Sequence, residues 1–133
     1  ATAAWGLYLT ARAEPENYEH LRRTANKLMK ARPTAINLRW ALEKVTSGID
    51  PNQDLRAQTR QLAESICDDD VATYAAIGDH SVALINRLTD GASPFNVLTH
   101  CNAGWLATVD RGTAMAPIYS AHEQGIPRTR LGG

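Results

Sequence analysis

Asp90-Gly91-Ala92-Ser93-Pro94-Phe95-Asn96-Val97-Leu98-Thr99-His100-Cys101-Asn102-Ala103-Gly104 is the stretch at which the chain changes character. Its first five residues are turn formers, and Phe95 to Thr99 is a short apolar and β-branched run suited to a strand. His100 to Gly104 follows as a polar loop that contains a glycine. From about Thr113 to Gln124, helical spacing returns through Ala114, Met115, Ile118, Tyr119, Ala121 and His122, and Gly125 supplies a C-terminal stop. Pro117 is tolerated there only near the first turn, where backbone N–H groups lack intrahelical partners. The pattern predicts a strand, a loop and a helix, with a domain boundary near Gly91–Pro94.

Upstream, the chain reads as helices. Ala3, Ala4, Leu7, Tyr8 and Ala11 recur at helical spacing over residues 1–13, and Pro15 marks the start of a second helix. In that helix Tyr18, Leu21, Ala25, Leu28 and Met29 share a stripe opposite Arg22, Arg23, Asn26, Lys27 and Lys30. Arg32-Pro33-Thr34 is a break, and a third helix runs from Ala35 to Val45. Ser47-Gly48 closes it, and Asp50-Pro51-Asn52 is the next turn. A longer helix over residues 53–75 points Leu55, Leu62, Ile66 and Val71 inward. After Gly78 a separate apolar helix covers Ser81–Leu88.

Composition narrows the function classes. The chain has 133 residues, 44% hydrophobic and 21% charged, which fits a globular domain and excludes collagen-like, disulfide-scaffold and disordered readings. Fourteen Lys and Arg balance 14 Asp and Glu, so the electrostatic footprint expected for nucleic acid or an anionic membrane is missing. No apolar run reaches the roughly 18 residues of a transmembrane helix, and no signal peptide opens the chain. Cys67 and Cys101 form neither a CxxC pair nor a disulfide framework. The expectation is a soluble protein of a reducing compartment, cytoplasmic, with no nucleic-acid or membrane partner.

Few residues could carry chemistry. Cys101 lies just past a strand end and ahead of a helix, where loops of α/β sheets present ligands and where dipoles can lower a thiol pKa. The residues alone leave it open between that role and a buried structural cysteine. Cys67 reads as core packing. His100, beside Cys101, has no ligand spacing with His20, His80 or His122, so no metal site is expected. Asp68-Asp69-Asp70 reads as a solvated helix surface. Arg32 stands before a helix N-terminus, with Pro33 suited to the first helical position, and could clamp an anion there or be an exposed arginine. Gly104 and Gly112-Thr113 bracket the loop and could let backbone approach a ligand.

Ala31-Arg32-Pro33-Thr34-Ala35-Ile36-Asn37-Leu38, Ala76-Ile77-Gly78-Asp79-His80, Leu98-Thr99-His100-Cys101-Asn102-Ala103-Gly104-Trp105-Leu106-Ala107-Thr108 and Gly112-Thr113-Ala114 together resemble the methylthioribose-1-phosphate isomerases of methionine salvage. These are relatives of the regulatory subunits of eukaryotic initiation factor 2B, which share the fold but not the cysteine loop. The likeness runs from residue 1 to about Pro127. It implies a mostly α chain with the start of an α/β Rossmann-like domain: a helical region over 1–92, then the opening of a catalytic domain over 93–133, usually in a homodimer. It further implies isomerisation of 5-methylthioribose 1-phosphate to 5-methylthioribulose 1-phosphate without metal, nucleotide or other cofactor.

The same resemblance places the catalytic cysteine on Cys101 and a phosphate-binding arginine on Arg32; Asn102, next in the loop, is a further candidate for hydrogen bonding to substrate. The family's Arg-Gly-Ala loop would precede residue 1, and its catalytic aspartate and Asn-Lys pair would follow residue 133. The expectation is therefore an incomplete copy with little activity of its own. Its one strand would lack a ladder partner, with Arg128–Gly133 a basic, glycine-ended tail. A non-catalytic association module and an isomerase of another phosphosugar, such as ribose 1,5-bisphosphate, are the alternatives.

Overall fold

Ala4, Leu7 and Ala11 fall on one stripe of the first helix, α1 (Thr2–Ala13), and all three are buried. Small residues on that stripe let neighbouring helices approach closely. A methyl placed on Gly6 would already sit 3.5 Å from Leu28. The structure is a computed structural model that describes residues 1–89, 95–100, 102–126 and 128–132, with 95 and 128–132 described by backbone alone. The chain divides into two compact units, Ala1–Asp68 and Asp69–Gly133.

The first unit is helical. Its second helix, α2 (Tyr18–Ala31), does not start at Pro15 as the sequence suggested. Pro15 and Glu16 lie in a turn, and Asn17 is the cap, its side-chain oxygen accepting the His20 backbone N–H at 2.9 Å. Such a cap is worth about 1 kcal/mol, which outweighs the pre-set φ of a proline two residues earlier. The Asn17 amide also donates to Glu14 at 2.6 Å, and Glu14 pairs with His20 Nδ1 at 2.9 Å. Helix α3 (Ile36–Ser47) adds Ala41, Leu42 and Val45 to the core, and the start of α4 (Leu55–Thr89) adds Leu55, Ala63 and Ile66. Thr59 is buried among them without penalty, because its hydroxyl donates to the Leu55 carbonyl at 2.7 Å.

Helix α4 is one element of 35 residues, where the sequence predicted two helices separated at Gly78. A mid-helix glycine costs roughly 1 kcal/mol relative to alanine and reads locally as a break. Here it serves packing in the second unit, since a side chain at Gly78 would collide with the Ser120 hydroxyl. Val71, expected inward, is exposed, and of the apolar residues between Ser81 and Leu88 Val82 is buried while Leu84 and Leu88 are exposed.

Beyond α4 the second unit contains β1 (Phe95–Leu98), a single 3-10 turn (Trp105–Ala107), α5 (Ala116–Glu123) and β2 (Arg128–Gly132). The turn expected at residues 90–94 lies outside the described residues. The expected lone strand is corrected: β2 pairs in parallel with β1, Phe95 opposite Arg128 and Leu98 opposite Gly132. The register slips between Asn96 and Val97, which face Thr129 and Leu131, so Arg130 is the extra residue on β2. Parallel strands need a crossover, and α5 provides it. Pro117 lies in its first turn as predicted. Gly125 ends it at φ +71°, with Gly125 and Ile126 N–H groups donating to His122 and Ala121 carbonyls at 3.0 and 2.9 Å. That pair of bonds is the Schellman closure a glycine after a helix predicts.

Candidate functional site

The strand–loop–helix stretch forms as read, and its geometry comes from backbone closure. Thr99 and His100 leave the carboxyl end of β1. Asn102 is exposed on a bend, and Ala103 turns inward, 8% exposed. Cys101 lies outside the described residues. The Ala107 N–H donates to the Gly104 carbonyl at 3.0 Å and makes the 3-10 turn, and Thr108 bonds the Asp110 carbonyl at 2.8 Å. The chain then returns to its start. Gly112 adopts φ +84°, and a side chain there would strike the Ala103 carbonyl and stand 2.7–2.8 Å from Gly104 backbone atoms. The Met115 N–H reaches the same Ala103 carbonyl at 3.4 Å. Residues 103–112 thus form a loop whose two ends touch, and only glycine fits the closing position.

Two side chains tie this loop to the helices. The Val109 N–H donates to Asp70 Oδ2 of α4 at 3.0 Å. The sequence places Asp70 in a solvated acidic run, and the structure corrects this by giving its carboxylate a backbone partner. A carboxylate that receives a backbone N–H from a residue 39 positions away is a tether. Beside it, burial first and the Asp70 charge second push the Tyr74 hydroxyl above its usual pKa of 10.0. Arg111 joins the loop to α5, reaching Glu123 at 2.8 Å and the Ser120 hydroxyl at 3.4 Å. A cleft of about 340 Å³ opens here, lined by Trp105, Asp110, Arg111, Tyr119 and Glu123. At the head of the loop the Thr99 hydroxyl is buried with no partner among the described residues.

Arg32 belongs to the other unit. It terminates α2, and its carbonyl accepts the Ala35 N–H at 3.0 Å across Pro33 and Thr34. Pro33 does not occupy the first position of α3, which begins at Ile36. The Arg32 side chain is exposed, and the N-terminus of α3 carries no side-chain cap. Its leading N–H groups and an exposed guanidinium therefore lie within one turn of chain, a combination suited to an anion. Arg32 and Asn102 thus fall in separate units. Among the described residues no group of three or more His, Cys, Asp or Glu is placed to hold a metal ion, and no helix is long and apolar enough to cross a membrane. Cys67 accepts the Trp5 indole N–H at 3.2 Å and is half-buried, in keeping with a packing role.

Residues 4–129 match the initiation factor 2 subunit family. The chain belongs to that family. Among its relatives are proteins named methylthioribose-1-phosphate isomerase from Rhodospirillum rubrum, 47% identical over 96% of this chain, and from Methylobacterium nodulans, 51% identical over 95%. The chain spans 35% of the length of each. The crystal structure of the translation initiation factor eIF-2B, subunit delta, from A. fulgidus superposes with a TM-score of 0.70 at 34% identity, covering 95% of this chain and 38% of that one. The mostly helical chain with a short parallel strand pair is the eIF-2B-like fold.

The sequence motifs found the loop but missed its supports. Gly112 brackets the loop in the sequence, and its positive φ makes it the closing residue. Asp70 carried no local signal, because its partner is 39 residues away.

Proposed function

We propose that this chain is part of an aldose–ketose isomerase of methionine salvage that converts 5-methylthioribose 1-phosphate to 5-methylthioribulose 1-phosphate. The observation that carries the reading is a Thr-His-Cys-Asn-Ala-Gly loop at the carboxyl end of a parallel strand, in a chain 47–51% identical to proteins named for that activity. Ligands of open α/β sheets bind at that end of the strands. The 34% identity to the initiation-factor subunit is lower, which favours the enzyme over a regulatory subunit. On this reading residues 1–92 are the helical region and 93–133 open the catalytic domain, within a cytoplasmic homodimer that needs no cofactor.

Each residue has a role. Moving hydrogen between neighbouring sugar carbons requires a group that exchanges a proton or stabilises developing charge, and Cys101 supplies it. The phosphate needs a fixed cation, which Arg32 supplies beside the uncapped start of α3. Asn102 donates from the loop to a substrate oxygen. The resemblance puts a second catalytic group, an aspartate, beyond residue 133, so residues 1–133 alone turn over little substrate.

The test is turnover of 5-methylthioribose 1-phosphate by the intact polypeptide that carries this sequence. Cys101→Ala abolishes measurable kcat. Arg32→Ala lowers kcat/KM about 10- to 100-fold, the loss expected when a charged hydrogen-bonding partner of a phosphate is removed. Full turnover by Cys101→Ala, or none by the unmodified polypeptide, sinks the reading.

A further inference from the structure

We propose that Asp70 is a positioning residue for the cysteine loop, holding it in its working geometry from α4; this rests on the isomerase reading above. The loop from Ala103 to Gly112 is closed at its base by the Gly112 backbone against Ala103 and Gly104. Closure of the base does not fix the far side. Leu106 and Val109 of the loop are exposed, Leu106 by 82% and Val109 by 38%. On that far side the Val109 N–H is anchored to Asp70 Oδ2 at 3.0 Å. Asp70 sits on a helix that Gly78 locks against α5, since any side chain at Gly78 would meet Ser120. The carboxylate is therefore borne by a rigid element, and a loop pinned at its base and its tip holds Ala103, the residue that follows Asn102, in place.

The bond is charge-assisted, and such bonds are stronger than neutral ones. Tyr74 lies one helical turn along α4 and interacts with the same carboxylate, which limits the rotamers Asp70 can take. Small displacements of a reacting group cost rate far more than binding. The tether consequently acts on turnover. On the isomerase reading, substrate affinity rests mainly on the phosphate grip proposed for Arg32.

The experiment compares Asp70→Ala and Asp70→Asn in the intact polypeptide. Alanine favours the helix and removes the acceptor; asparagine keeps an acceptor oxygen without the charge. Asp70→Ala is expected to lower kcat roughly tenfold while KM stays within about twofold, and Asp70→Asn to recover most of the loss. Two further readouts need no turnover. Val109 amide hydrogen exchange speeds up in Asp70→Ala and stays slow in Asp70→Asn. Iodoacetamide alkylation of Cys101, followed by peptide mass spectrometry so that Cys67 is counted separately, changes rate in the alanine variant alone.

The proposal is overturned if Asp70→Ala matches the unmodified protein in kcat and Val109 exchange. It is equally overturned if Asp70→Asn falls as far as Asp70→Ala, or if KM rises while kcat holds. Should the unmodified polypeptide fail to turn over the methylthio sugar, the isomerase reading falls by itself, and exchange and alkylation still decide the tether.

Discussion

Gly112 shows how far one residue can govern the site. Its φ of +84° lies in the left-handed region, and the space where a Cβ would go is filled by Ala103 and Gly104 backbone. Gly112→Ala carries about 1–2 kcal/mol of backbone strain before any steric clash is relieved. The expected outcome is a lower melting temperature in a thermal scan and a loop that no longer closes, seen as faster exchange of the Met115 amide. Gly125→Ala is the control. It has a similar positive φ of +71° but nothing within 4 Å of the added methyl, so it bears the backbone strain alone and melts higher than Gly112→Ala.

A second residue-scale expectation concerns acid. The Asn52 backbone N–H, with further bonds from the Gln53 and Asn52 side chains, holds the Asp50 carboxyl below its usual 3.8. A depressed folded pKa means that the unfolded chain binds the proton first as pH falls. The contribution to stability is therefore present above about pH 4 and is lost as pH drops through the folded value. Asp50→Asn should flatten the acid limb of the melting-temperature profile below pH 4 and leave its neutral plateau sloped as before. An unchanged acid limb would show that the turn holds without the charge.

At the scale of elements, Gly78 reverses the usual expectation for a helix glycine. Gly→Ala inside an exposed helix stabilises by roughly 1 kcal/mol. In α4 the new methyl would clash with Ser120 and lie 3.2 Å from the Ala116 carbonyl, forcing α5 away. Gly78→Ala is expected to lower the melting temperature, and adding Ser120→Gly should restore part of it. A rise in the single variant would mean that α5 yields without cost. This glycine also marks the limit of what could be read in advance. Within a short window it resembles a stop, and only its contact with a residue 42 positions later explains why the helix continues.

The same reasoning separates what was legible from what was not. Helix α3, the strand at Phe95, the Pro117 position and the Gly125 stop depend on local spacing and backbone chemistry, and each forms where the sequence predicts it. The second strand does not advertise itself, because Arg128-Thr129-Arg130-Leu131-Gly132 becomes a strand only by pairing with β1. Asp70 is in the same position: a carboxylate on a helix surface looks solvated until a distant N–H is brought to it.

For the whole molecule, the exposed apolar residues of the second unit set an expectation about association. Leu98 is 88% exposed at the end of β1, with Leu106 at 82% and Trp105 at 62% in the loop beyond. Parallel sheets bury both faces, and a two-stranded sheet is marginal in water, so these side chains sit where a larger sheet would be covered. Burying a leucine is worth about 1.5–3 kcal/mol, enough for two or three of them to drive self-association at micromolar to millimolar concentration. Light scattering from this 133-residue chain should therefore give an apparent mass that rises with concentration. Leu98→Ser with Leu106→Ser should bring it down towards 14.5 kDa. A mass of one chain at every concentration would mean that the exposed leucines do not meet. A rise that survives both substitutions would put the contact elsewhere, with exposed Ile36 and Trp40 of the first unit the next residues to change.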